Sequence, residues 1–210
     1  MDGRPSLFLA PSGGRLEFEM WVRKSSIRPV PTYAKISAAT LRAVRDELVE
    51  GEAPGEALDA AFERFEESQP ALAESLSELL ERPYTEATLA LAYFLSLSLW
   101  LAFERAYGRD LAPVLEQELQ ATSDLLELDE ELHRSDATDT LESDDVISME
   151  QPEIIRFIHE HVEATLDVHA DSVELSELET VYRAVLVEAL ALSYAVRPPL
   201  GVAGTREVLA

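Results

Sequence analysis

The run ATLALAYFLSLSLWLAF, from Ala87 to Phe103, constrains this chain more than any other feature. It carries no charge, in a chain of 210 residues with a formal net charge of −24. A stretch of this kind is either a membrane span or a helix buried on all sides. A span needs roughly 20 apolar residues, with a lower limit near 17. Ala87–Phe103 only reaches that limit and contains Thr88, Ser96 and Ser98. Glu86 and Glu104 bracket it, where Lys, Arg or Trp anchors are expected of a span. The flanking segments are amphipathic. The run is therefore predicted to be the buried axis of a helical bundle, not a membrane span. Ser96 and Ser98 are expected to bond back to the carbonyls four residues earlier, so that their burial costs little.

The rest of the chain is organised around that axis. The expected fold class is mainly α, a bundle of about seven helices with a small N-terminal β-hairpin. Leu16, Phe18, Met20 and Val22 alternate with Glu17, Glu19 and Trp21 at strand period, and Gly13-Gly14 suits a tight turn. Residues 1–36 are read as this hairpin followed by a basic, proline-containing extended arm. Residues 37–134 are read as the helical bundle. Ser37 is a plausible first cap, Pro70 suits a first helical turn, and Gly108 suits the end of the central helix. A fifth helix is expected from Asp110 to about His133, with Leu115, Leu119, Leu125, Leu126 and Leu128 as its apolar face. Residues 135–151, rich in Asp, Ser and Thr, read as an acidic flexible loop or linker. Residues 152–197 read as a C-terminal helical pair packing on the bundle, or as a separate unit swung on the linker. Residues 198–210 read as a tail. The last helix is interrupted by Arg183 and Glu188, so one of its sides is expected to meet solvent or a partner.

Charge narrows the partners. Residues 1–36 hold six basic and three acidic residues, a net +3, which leaves −27 for the remainder. An acidic body repels nucleic acid and anionic lipid and attracts basic proteins. Direct nucleic-acid binding is not expected. High Glu with two lysines among seventeen basic residues also fits adaptation to salt or a GC-rich genome. There are no cysteines, which removes disulfides, Cys-ligated zinc, iron–sulfur clusters and thiol catalysis. Residues 1–14 lack a basic segment followed by a long apolar one, so no signal peptide is read and a cytoplasmic location is expected.

No motif for acyl transfer, phosphate cradling or dinucleotide binding occurs. The densest histidine cluster is FIHEHVEATLDVH, residues 157–169. His159 with Glu163, and His161 with His169, lie at helical spacing that a metal could use. His159 and His161, however, point about 200° apart on a helix, and solvated polar residues explain the pattern as well. No metal and no cofactor are expected. His159, His161, Glu163 and His169 are kept as weak metal candidates. Partner contact is expected from the arm (Trp21, Arg23, Lys24, Arg28), the acidic loop (Asp144, Asp145) and the tail (Leu200, Leu209).

The expected function is that of a non-enzymatic acidic binding or regulatory protein: an adaptor, an inhibitor or a subunit of a larger assembly. Its partner would be another protein with a basic face, or a second copy of the chain. The alternatives are a helical metal-binding protein or enzyme using the His159–His169 helix, and an inhibitor that mimics nucleic acid.

Overall fold

The computed structural model of the chain describes residues 25–50, 54–135 and 143–199. Eight α-helices are found there: α1 (Ala38–Glu50), α2 (Pro54–Ser68), α3 (Pro70–Leu80), α4 (Glu86–Tyr107), α5 (Glu116–Ser135), α6 (Ser143–Glu150), α7 (Pro152–His169) and α8 (Leu175–Ala195). Among the described residues there is no strand, only one antiparallel bridge between Leu111 and Val196. The expected hairpin lies outside the described residues.

α4 is the axis. From Leu95 to Phe103 every residue is buried. By length and composition the Glu86–Asp110 segment could cross a membrane, yet 67% of its most apolar window is covered by the fold. Thr85 caps its N-terminus, accepting from the Thr88 N–H, and Glu177 of α8 accepts from both the N–H and the hydroxyl of Thr85. Those bonds hold the Glu177 carboxyl below its ordinary range. Gly108 ends the helix at φ +50°, a conformation that favours glycine.

α8 packs along α4, and α1, α2, α3 and α7 also pack against α4. The ring of Trp100, 1% exposed, meets Phe65 of α2 at 5.4 Å between centroids. Proline opens α3 and α7, as Pro70 and Pro152, where a missing N–H costs nothing.

Five sequence expectations change. Residues 143–150, expected within a flexible loop, form α6, because Ile147 is fully buried with Val146 packed beside it. Two apolar residues in one turn anchor a helix too short to show a stripe. The fifth helix starts at Glu116, not near Asp110; residues 108–110 form a 3₁₀ turn, and Leu111 leads an extended strap bridged to Val196. Leu115 and Leu128 are exposed, so the inward face of α5 is narrower than expected. Ser98 Oγ is buried without a hydrogen-bond partner, and the Ser96 hydroxyl serves Glu188, so the pair is not simply folded back on its own helix. Glu188, expected at solvent or a partner, is 6% exposed.

The arm from Ser25 to Ser37 lies on the body. Ile27, Val30, Ala34 and Ile36 are buried in the core. Its first anchor is Asp129 of α5, fully buried, whose Oδ1 accepts from the Ser25 hydroxyl at 2.8 Å and the Ser26 N–H at 2.6 Å. His133 Nδ1 lies 3.3 Å from the other oxygen. Asp129→Ala should free this end of the arm and cost about 1–3 kcal/mol. Hydrogen exchange should then speed up at Ile27 and Val30 ahead of global unfolding. Unchanged protection there would show that the anchor is dispensable.

Candidate functional site

α5 packs against α8 and also meets α3. Between the three helices lies a cleft of about 450 Å³, with α4 at its base. α3 contributes Leu72, Glu74, Ser75, Leu76, Glu78 and Leu79 to the wall, and Arg82 follows in the turn. α5 contributes Glu116, Leu119, Gln120 and Ser123; α4 contributes Ser96; α8 contributes Thr180, Arg183, Ala184, Val187 and Glu188. Beside the apolar stripe of α8, in which Leu178, Val181 and Val185 are buried, Thr180, Arg183 and Glu188 form a polar wall of the cleft.

Glu188 is the unusual group. Its carboxyl is buried, Ser96 supplies a hydrogen bond, and Oε1 has no partner. Burial disfavours the charged form and pushes the carboxyl up to about 8, with the Ser96 hydroxyl pulling weakly the other way. At neutral pH it is mainly the uncharged acid. Arg183 is its counterpart on the same helix. Nε bonds Glu130 of α5 at 3.2 Å, while Nη2 is buried and has no acceptor. A buried polar atom without a partner is uncommon and calls for an explanation.

No histidine lines the cleft, and the Ser96 hydroxyl there is bonded to the Glu188 carboxyl. The arrangement can hold a polar or charged group.

The histidine helix places its candidates apart. His159 Nε2 is 2.8 Å from the Tyr182 hydroxyl, and the two rings stack. His161 Nδ1 is 2.7 Å from the Phe157 carbonyl oxygen, with its ring against Phe94 and Phe157. Glu163 and His169 are exposed. Among the described residues no three His, Cys, Asp or Glu side chains converge on a point where a metal could sit. Of the expected contact residues, Arg28 lies with its guanidinium over the Tyr194 ring at 4.4 Å, and the Tyr194 hydroxyl donates to the Arg28 carbonyl. That arginine is tied to the body. Asp144 and Asp145 sit on α6, with Asp145 exposed. Trp21, Arg23, Lys24, Leu200 and Leu209 lie outside the described residues.

The sequence pattern did not single out Glu188, Arg183 or Asp129 as site residues. For Glu188 a signal existed. Its helical neighbours at three and four residues in both directions are Ala184, Val185, Ala191 and Leu192, and its direct neighbours are Val187 and Ala189. A carboxylate ringed by apolar residues on every side is one that the helix carries inward.

No protein-family model matches the sequence, and neither the curated proteins nor the solved structures yield a match.

Proposed function

We propose that this chain is a non-enzymatic acidic binding protein, an adaptor, inhibitor or subunit, that engages a protein with a basic face through the α2–α3 pair. One observation carries this. α2 exposes Glu56, Asp59, Glu63, Glu66 and Glu67, and α3 with the turn after it exposes Glu74, Glu78 and Glu81. The one base on these helices, Arg64, turns to Glu104 at 3.1 Å and to the Trp100 ring. Eight acids thus face only Arg64 and the Arg82 of the following turn, and like charges at (i, i+4), as in Glu63 and Glu67, weaken the helix that carries them. A basic partner would remove that repulsion and gain in association rate.

The test is retention from native cell extract on the immobilised chain, washed at low and then high salt. A stoichiometric basic protein should bind at low salt and be released at high salt, since exposed charge pairs are screened. The double variant Glu63→Lys, Glu67→Lys should reduce its retention by about tenfold or more. Absence of a stoichiometric partner, or a partner that tolerates both high salt and the charge reversal, would refute this function.

A further inference from the structure

We propose that the cleft between α3, α5 and α8 is a small-molecule site for a short zwitterionic amino compound, whose ammonium group pairs with Glu188 and whose carboxylate pairs with Arg183. The cleft shares Glu74 and Glu78 of α3 with the proposed partner surface, but the inference rests on Glu188 and Arg183 of α8 and not on that reading.

Two orphaned atoms of opposite kind define the ligand. Glu188, 94% buried, offers an acceptor oxygen with no donor; Arg183 offers a buried Nη2–H with no acceptor. Both side chains line one cleft. They are five residues apart on α8, which places their backbones about 7.5 Å apart along the helix axis. The volume, about 450 Å³, falls within the roughly 300–1,000 Å³ of small-molecule pockets. The terminal torsion of a carboxyl is broad, so Oε1 can turn toward a ligand without disturbing α8.

The remaining charges favour the same polarity. Glu74 and Glu78 face the cleft from α3 and Glu116 from α5; Arg82 faces it from the turn after α3, and α4 offers only the neutral Ser96. Carboxylates outnumber guanidiniums, which opposes a bare anion. A bare amine would leave Arg183 Nη2 unsatisfied. A molecule with a donor at one end and an acceptor at the other satisfies both atoms, and its own charges balance.

Binding moves one proton. The uncharged Glu188 acid releases its proton to solvent as its carboxylate forms an ion pair with the incoming ammonium. Affinity should therefore rise with pH, by up to about tenfold per unit, until Glu188 ionises in the free protein near pH 8. The ligand ammonium, with an ordinary value of about 10.4 for an alkylamine, stays charged throughout.

Calorimetric titration of the full chain with a series from glycine to 6-aminohexanoate, at pH 6, 7, 8 and 9, tests the proposal. At least one member should bind saturably at one site, more tightly at pH 8 than at pH 6. Pentylamine and pentanoate, each with one of the two ends, should bind at least about tenfold more weakly than that member. Glu188→Gln keeps the size of the side chain and should abolish the pH dependence and most of the affinity. Arg183→Gln should erase the preference for the zwitterion over pentylamine. Failure of the whole series to bind, affinity independent of pH, or full affinity in Glu188→Gln would overturn the proposal. Tighter binding of pentanoate than of any zwitterion would also overturn it.

Discussion

Glu188→Gln should make the protein more stable, and the gain should grow with pH. In the unfolded chain Glu188 titrates near its ordinary 4.5; in the fold its carboxyl titrates near 8. Between those values the native state holds a proton that the unfolded state has released. The unfolding free energy contributed by this group therefore falls as pH rises from about 4.5 to about 8, then levels off. At about 1.4 kcal/mol per pH unit, the penalty at pH 8 is roughly 2–5 kcal/mol. Glutamine carries no such proton, keeps the volume, and can still bond Ser96. Denaturant unfolding of both proteins at pH 5 and pH 8 should show a small difference at the first and a gain of roughly 2–5 kcal/mol at the second. The other carboxylates titrate in both proteins, so the difference isolates Glu188. Equal stability at both pH values would mean that the carboxyl is hydrated in the native state.

Gln151→Ala should have an effect of similar size and opposite sign. Gln151 is fully buried between α6 and α7. Its Nε2 donates to the Ala34 carbonyl and to Ser193 Oγ, both at 2.8 Å, and its Oε1 accepts from the Ile36 N–H at 3.1 Å. One side chain thus closes the backbone of the arm and ties it to α8. Truncation leaves the Ala34 carbonyl and the Ile36 N–H without partners in a dry site. At about 1–3 kcal/mol for each buried orphan, the loss is roughly 3–5 kcal/mol. Thermal unfolding should fall by about 10 °C for a chain of this size. Gln151→Glu should also be damaging, because a carboxylate can accept from Ile36 but cannot donate to Ala34. A loss below about 1 kcal/mol in Gln151→Ala would show that water replaces the amide at little cost.

These residues mark the boundary of what pattern reading can deliver here. The axis α4 was legible because a charge-free run flanked by glutamates in an amphipathic chain has few other places to go. Its end at Gly108 and the starts at Pro70 and Pro152 were legible because those residues act through local backbone geometry. α6 was hidden because Val146 and Ile147 are two apolar letters among acids, and their burial depends on α5 and α7. Gln151 and Asp129 were hidden for a related reason. A single polar residue that bonds a distant backbone segment has no periodicity, and with 41 acidic residues in the chain no one carboxylate stands out by type. Glu188 could have been found, since its apolar surroundings on α8 are local in sequence. The cleft itself could not, because it lies between three helices that are far apart in the chain.

Glu188 joins the fold to the site, and its protonation state can be observed directly. Carbon-13 NMR of the glutamate side-chain carboxyls, with Glu188 assigned by its absence from the Glu188→Gln spectrum, gives its titration midpoint in the intact chain. A midpoint about 8 is the expected result, and it would establish an uncharged acid held in the cleft at neutral pH. A midpoint about 4.5 would contradict the account, since the carboxyl would then be hydrated and charged and the cleft would hold no orphaned acceptor.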